Sequence, residues 1–219
     1  MRIKIDLHVH TSHSACARMS PRQIVAAALR HGIAAVAITD HNTMAGVRDM
    51  QAAAQGLRII CGEEIRTTQG ELTGYFLAEQ IPAGLSPQET IARIRSQGGL
   101  VAVPHPFDRL RSSRLHASAL ESLIGSIDMI ETFNARNIFI EENRDLLARV
   151  LAAGALPMAG SDAHLPIEVG RACMEMDDFT TPQEFMTSLR TAKIHGRKSP
   201  LWVHGVTKVL KIKRRLRRA

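Results

Sequence analysis

The chain has 219 residues and a formal net charge of +7, long enough for one domain that buries most of its apolar surface and short for two. With 45% hydrophobic residues and only 4% aromatic ones, its core must be built from Ala, Val, Ile, Leu and Met, as in packed α/β proteins. The charge is local: Lys208, Lys211, Lys213, Arg214, Arg215, Arg217 and Arg218 supply all seven net positive charges, so the rest of the chain is formally neutral and its surface as a whole is not that of a polyanion binder.

The opening MRIKIDLHVH lacks the apolar stretch and cleavage site of a signal peptide, so cytoplasm is the expected compartment. Residues 2–8 read as a strand, and SPRQIVAAALRHG (20–32) reads as a helix opened by Ser20 and Pro21 and stopped by Gly32. AAVAITD (34–40) is the next strand, 43–56 a helix, and 57–65 and 71–79 two further strands. SPQETIARIRSQGG (86–99) repeats the Ser-Pro opening, with Glu89 placed to complete a capping box. Strands follow at 100–105, 129–134 and 156–162, with a helix over 138–154 between the last two. Several strands are nearly continuous apolar runs, the pattern of strands covered on both faces. Alternation of this kind predicts a parallel barrel of about seven strands. The three cysteines, Cys16, Cys61 and Cys173, are too widely spaced for a disulfide framework or a zinc pair and are expected to be reduced.

Polar residues gather where such a barrel assembles its site. His8 and His10, Asp40 and His41, Glu63 and Glu64, His105, Glu131, Asp162 and His164 all fall at or just past the C-terminal ends of predicted strands. His8 and His10, one residue apart, point to the same side of a strand. Imidazoles and carboxylates are ligands of Zn, Mn and Fe, and without metal such a gathering would bury unpaired charge.

The motifs DLHVHT (6–11), ITDHN (38–42), CGEEI (61–65), VPHP (103–106), IETFNAR (130–136) and GSDAH (160–164), in this order, resemble those of the PHP (polymerase and histidinol phosphatase) family. The resemblance implies a distorted (β/α)7 TIM-like barrel over residues 1–200, followed by a basic tail over 201–219. It also implies two or three divalent metals (Zn, Mn or Fe) and hydrolysis of phosphoesters. By position, His8, His10, His41, Glu64, His105, Asp162 and His164 match metal ligands; Glu64 is preferred to Glu63 because it precedes the apolar Ile65, and Asp40 is a supporting residue beside His41. Glu131 is either a ligand or a hydrogen-bond partner of a ligand histidine. Asp162 or His164 is the expected proton relay.

Two departures from the family pattern stand out. Where relatives carry an Asp or His soon after the second histidine, this chain has Ala15 and Cys16; Cys16 is either a thiolate ligand or a buried structural cysteine. Where many relatives have a histidine on the fourth strand, this chain offers only Glu71 and Thr73. His13, in the turn after His10, is expected to lie outside the site. No predicted strand after the first contains a lysine, so the expected anion clamp is an arginine: Arg136 foremost, because it belongs to the matching motif, ahead of Arg18, Arg66, Arg109 and Arg171. The expected partner is a small phosphorylated metabolite or nucleotide. The tail, with helical spacing over 206–219, is either a solvated basic end or a binder of nucleic-acid phosphate or an anionic membrane. A nuclease, or a non-catalytic metal-stabilised nucleic-acid binding module, are the alternative readings it supports.

Overall fold

In a computed structural model, which describes residues 1–139 and 143–216 and side chains up to residue 213, the chain forms a mixed α/β domain around one barrel-shaped sheet. Its strands are β1 (Arg2–Val9), β2 (Ala35–Ile38), β3 (Arg58–Thr67), β4 (Gly70–Tyr75), β5 (Leu100–Val103), β6 (Met129–Asn134), β7 (Leu156–Gly160), β8 (Ala172–Asp177) and β9 (Lys193–Gly196). The helices are α1 (Pro21–Arg30), α2 (Ala45–Ala53), α3 (Pro87–Ser96), α4 (Ala117–Ser122), α5 (Arg144–Ala152), α6 (Pro182–Leu189) and α7 (Trp202–Leu216). The expected distorted barrel is present, with nine strands in the order β7-β6-β5-β4-β3-β2-β1-β8-β9 where seven were read from the sequence. Of the helix expected over 138–154, residues 140–142 lie outside the described ones, and α5 starts after an Asn143 cap.

The added strands explain the distortion. β4 follows β3 as an antiparallel hairpin, because only Thr68 and Gln69 separate them and no crossover helix fits there. β8 pairs antiparallel with the first half of β1, and β9 with β8. The second half of β1 instead meets the end of β7: Val9 bridges Ala163, His10 N–H donates to Ala163 O (2.9 Å) and Ala163 N–H donates to His8 O (3.2 Å). The fully buried Asp6 supports this closure, accepting from the backbone N–H of Ser161 (2.9 Å) and of Gly170 (2.8 Å).

Bulges decide what faces inward. Between Asp6 and Val9, β1 has one residue more than β2, which switches the parity of the inward face. Ile3, Ile5 and Leu7 therefore fill the lower barrel, packed with Ala37, Tyr75, Met129 and Met158, while His8 and His10 turn into the mouth above them. An extra residue near Thr132 does the same on β6, bringing Glu131 and then Asn134 toward the site. The Tyr75 hydroxyl fastens the floor by donating to Leu7 O at 2.9 Å.

Local signals set the helices as read. Ser20 caps α1 and Ser86 caps α3, each in a reciprocal capping box with Pro at the start. Gly160 is required by the closure itself, since a Cβ there would lie 2.3 Å from His8 Cβ and 2.8 Å from Glu131 Oε1. Gly160→Ala is therefore expected to destabilise the domain by about 2 kcal/mol or more, measured by urea unfolding. Gly125→Ala, where the new Cβ meets nothing within 4 Å, should stay within about 0.5 kcal/mol of the parent.

Candidate metal centre at the barrel mouth

Six buried side chains from four strand ends, joined by His41 from a fifth, converge at the mouth. His8, His10, Glu64, His105 and Asp162 are fully buried, His164 nearly so, and His41 is part-exposed at the rim. His8 Nε2 lies 3.5 Å from Glu64 Oε2 and 3.6 Å from Asp162 Oδ1; His10 Nε2 lies 3.4 and 3.2 Å from the same two oxygens. His41 Nδ1 is 3.0 Å from Glu64 Oε2, and His105 Nε2 is 2.8 Å from Glu64 Oε1. Glu64 is thus shared among four histidines.

Outer hydrogen bonds aim the rings. The Glu131 carboxylate accepts from His8 Nδ1 (3.1 Å), and the Asp162 carbonyl accepts from His164 Nδ1 (2.7 Å). His10 Nδ1 meets Ser14 Oγ (3.2 Å), whose own proton goes to Asp40 Oδ1 (2.5 Å). With Nδ1 so engaged in each ring, it is Nε2 of all three that points into the mouth, the arrangement by which metal-ligating histidines are oriented. Asp40 is spent on this scaffold, since it also accepts from Thr11 N (2.8 Å) and Thr11 Oγ1 (2.6 Å). Glu131 is similarly engaged: its second oxygen accepts from His105 N (2.7 Å) and Asn134 Nδ2 (2.9 Å).

The donor set fits divalent metal. His8 Nε2, His10 Nε2, Glu64 Oε2 and Asp162 Oδ1 are buried atoms without a hydrogen-bond partner among the described residues. Two ligand atoms each about 2.1 Å from one ion at tetrahedral angles stand about 3.4 Å apart, close to the separations above. Four groups are able to hold an ion: His8, His10 and Asp162; His8, Glu64 and His105; His10, His41 and His164; and His41, Glu64 and Glu71. Without metal the carboxylates are balanced by protons on the imidazoles. Burial opposes the charge on His8 and His41, yet Asp162, Glu131 and Glu64 around His8, and Glu64 and Cys16 around His41, raise both well above the ordinary imidazole range, so a bound ion would displace those protons. Burial opposes the ionised form of both carboxylates, yet Arg111 and His8 hold Asp162, and His41 and His8 hold Glu64, well below the ordinary range. Burial, with the charge of Arg136 and His10, keeps His164 well below the ordinary imidazole range, hence neutral.

Other predicted residues take distinct places. Cys16 Sγ lies 3.0 Å from His164 Nε2, at the edge of the centre. His13 lines the cleft, but its Nε2 pairs with Asp49 Oδ2 (2.7 Å) and it belongs to none of the groups able to hold an ion. Arg136 lines the cleft, but its guanidinium donates to Glu168 Oε2 (3.1 Å) and Thr207 Oγ1 (2.8 Å). Glu168 Oε2 accepts in turn from His164 N (3.1 Å). Arg66 reaches Glu71 Oε1 (3.7 Å), and Arg171 bonds backbone carbonyls away from the mouth.

Three features were not read from the sequence. Arg111 donates to Asp162 Oδ2 and, from Nε, to Asp108 Oδ2 (3.4 Å), so a guanidinium stands against the cluster. Nothing in the spacing of DRLRSSR marks it. Glu71 enters the site, 3.9 Å from both His41 Nδ1 and His105 Nε2, because the antiparallel β4 presents its N-terminal end at the mouth. Lastly, positive charge is not left to arginine: Lys208 and Lys211 of α7 line the same cleft of about 1030 Å³. The expectation of an all-arginine pocket fails because α7 folds back across the barrel.

Glu63 points away from the mouth, accepting from Ile81 N (2.9 Å), and burial pushes its carboxyl up to about 7. As pH rises from about 4.5 to 7 the unfolded chain releases this proton before the folded one does, so stability falls by up to about 3 kcal/mol across that window. Glu63→Gln should abolish this loss, making the variant more stable relative to the parent at pH 8 than at pH 4 by about that amount in urea titrations.

The comparisons with known proteins agree with this geometry. The PHP domain model matches residues 6–154, and a PHP-associated model matches residues 142–194. Two uncharacterized proteins of Methanocaldococcus jannaschii are similar: one is 40% identical over 61% of this chain and 82% of its own, the other 34% identical over 86% of this chain and 79% of its own. A solved structure from Bacteroides vulgatus, a two-domain protein containing a predicted PHP-like metal-dependent phosphoesterase, superposes with a TM-score of 0.72 at 18% identity. The alignment covers 90% of this chain and 65% of that one, and at that identity it shows the shared fold.

Proposed function

Since the chain belongs to the PHP domain family, we propose that it is a metal-dependent phosphoesterase, most simply a phosphatase of a small phosphorylated metabolite or nucleotide. The observation that carries this reading is the set of converging Nε2 and carboxylate oxygen atoms, unpartnered among the described residues and pre-aimed, beside the guanidinium of Arg111. His8, His10, His41, Glu64, His105, Asp162 and His164 would hold two or three divalent ions, with Cys16 and Glu71 at the edges of the set. Bound metals would acidify an attacking water and polarise the phosphoryl oxygens.

The chain's own groups do the rest. Burial opposes the charge on Arg111, but Asp162, Glu64 and Asp108 outweigh it and raise its pKa, so a fixed cation is available to phosphoryl oxygens as their charge grows. Arg136 is a positioning residue, tying the His164 loop to α7. His164, kept neutral, meets Cys16 Sγ at Nε2 (3.0 Å) beside the cleft and would there either ligate an ion or relay a proton, while Asp162 stays ionised as an anchor. Glu131 and the Asp40–Ser14 pair keep His8 and His10 in the orientation that ligation needs.

Protein purified without chelator should carry two or three equivalents of Zn, Mn or Fe by elemental analysis, and should release phosphate from some members of a phosphomonoester panel in a metal-dependent manner. His8→Ala and Glu64→Gln should reduce that turnover to background with the circular dichroism spectrum unchanged; persistent metal-dependent turnover would overturn the assignment. Arg111→Ala should lower kcat/KM by about 10²- to 10³-fold, with partial recovery in Arg111→Lys, and the metal content should stay at the parental level.

A further inference from the structure

α7 turns a basic face to the cleft, with Lys208 and Lys211 exposed there. His204, Lys208 and Lys211, spaced i, i+4, i+7, line the cleft, while Trp202, Val206 and Val209 on the other side are 55%, 37% and 50% exposed. The helix is held in this orientation by the fully buried Val203 and by Thr207, whose Oγ1 accepts from Arg136. Through Arg136, Glu168 and the His164 backbone, α7 is linked by hydrogen bonds to the metal centre.

Lys208 and Lys211, both exposed, and the imidazole of His204 have no ion-pair or hydrogen-bond partner among the described residues. A cleft of about 1030 Å³ matches the upper range of small-molecule sites, well beyond what one phosphate needs. α7 also lies past residue 194, outside both family-model matches.

We propose that His204, Lys208 and Lys211 form a second anion subsite, which holds a phosphate of the substrate other than the one hydrolysed at the metal centre. The inference rests on the phosphoesterase reading for its substrate but not for its binding chemistry. Two lysine ammonium groups and an imidazole suit a compact, freely rotating anion, whereas Arg111 suits the oriented phosphoryl group at the metals. The second phosphate can come from a bisphosphorylated metabolite or from the backbone of a 5′-phosphorylated oligonucleotide; the chemistry recognised is the same.

The test separates the two readings. Inorganic phosphate titrated calorimetrically into the metal-loaded protein at low ionic strength should bind at two sites per chain. The Lys208→Gln/Lys211→Gln double variant should keep one site, and Lys213→Gln, an equal kind of charge change on the opposite side of α7, should keep both. One site in every protein, or loss of a site in Lys213→Gln as well, would overturn the subsite. Among hydrolysed substrates, the double variant should raise KM for bisphosphates or for a 5′-phosphorylated dinucleotide at least tenfold, while KM for monophosphates stays within twofold. An equal rise for both classes would overturn it too. The dinucleotide and bisphosphate arms identify the source of the second phosphate. Absence of turnover with two-site binding intact would remove the phosphoesterase reading and leave the subsite standing.

Discussion

Two fully buried carboxylates, Glu64 and Asp162, kept ionised at the mouth of the barrel, are the constraint around which the molecule is arranged. An isolated buried carboxylate would take up a proton rather than remain charged. These two remain charged because four imidazoles and one guanidinium are placed within reach. Protons on His8 and His41 balance these oxygens in the chain alone, and a cation held between the same atoms would take their place. Metal binding would thus complete an electrostatic arrangement that the folded chain already holds, with the ring orientations set in advance by Glu131, Ser14 and the Asp162 carbonyl.

Holding that arrangement requires local strain. His105 and Asp162 both adopt positive φ, 31° and 53°, a region that non-glycine residues occupy at a cost of roughly 1–3 kcal/mol. Each stands where the chain leaves a strand and must turn its side chain back over the mouth. The bulges in β1 and β6 do related work, letting one strand supply apolar residues to the floor and polar residues to the site. The dense packing of the floor, with Leu7, Tyr75 and Met158 beneath the histidines, is what makes such strain sustainable.

Much of this was legible residue by residue. The spacing of His8 and His10 placed them on one side of a strand, and the strand ends marked the mouth because parallel strands all point their C-terminal ends the same way. Ser20 with Pro21 and Ser86 with Glu89 announced α1 and α3. Thr181, Pro182 and Glu184 carry the same capping signal for α6, which could have been read and was not. β9 offered no comparable signal: all four of its residues are exposed, so it has no apolar period, and it is a strand only because β8 gives it a partner.

Residue types, alternation and motif order sufficed for the barrel class, the strand ends that gather histidines and carboxylates and the family resemblance, since these depend on local periodicity and on donor chemistry that side chains carry wherever they are placed. The direction of β4, the entry of Glu71 and Arg111, the diversion of Arg136 to Glu168 and Thr207, and the return of α7 over the cleft depended on contacts between segments far apart in the chain. Such contacts are chosen by packing and by the pairing of buried charge, energies that come into being only when the whole domain closes. A basic tail read alone is a solvated helix; against the barrel, its lysines face a pocket.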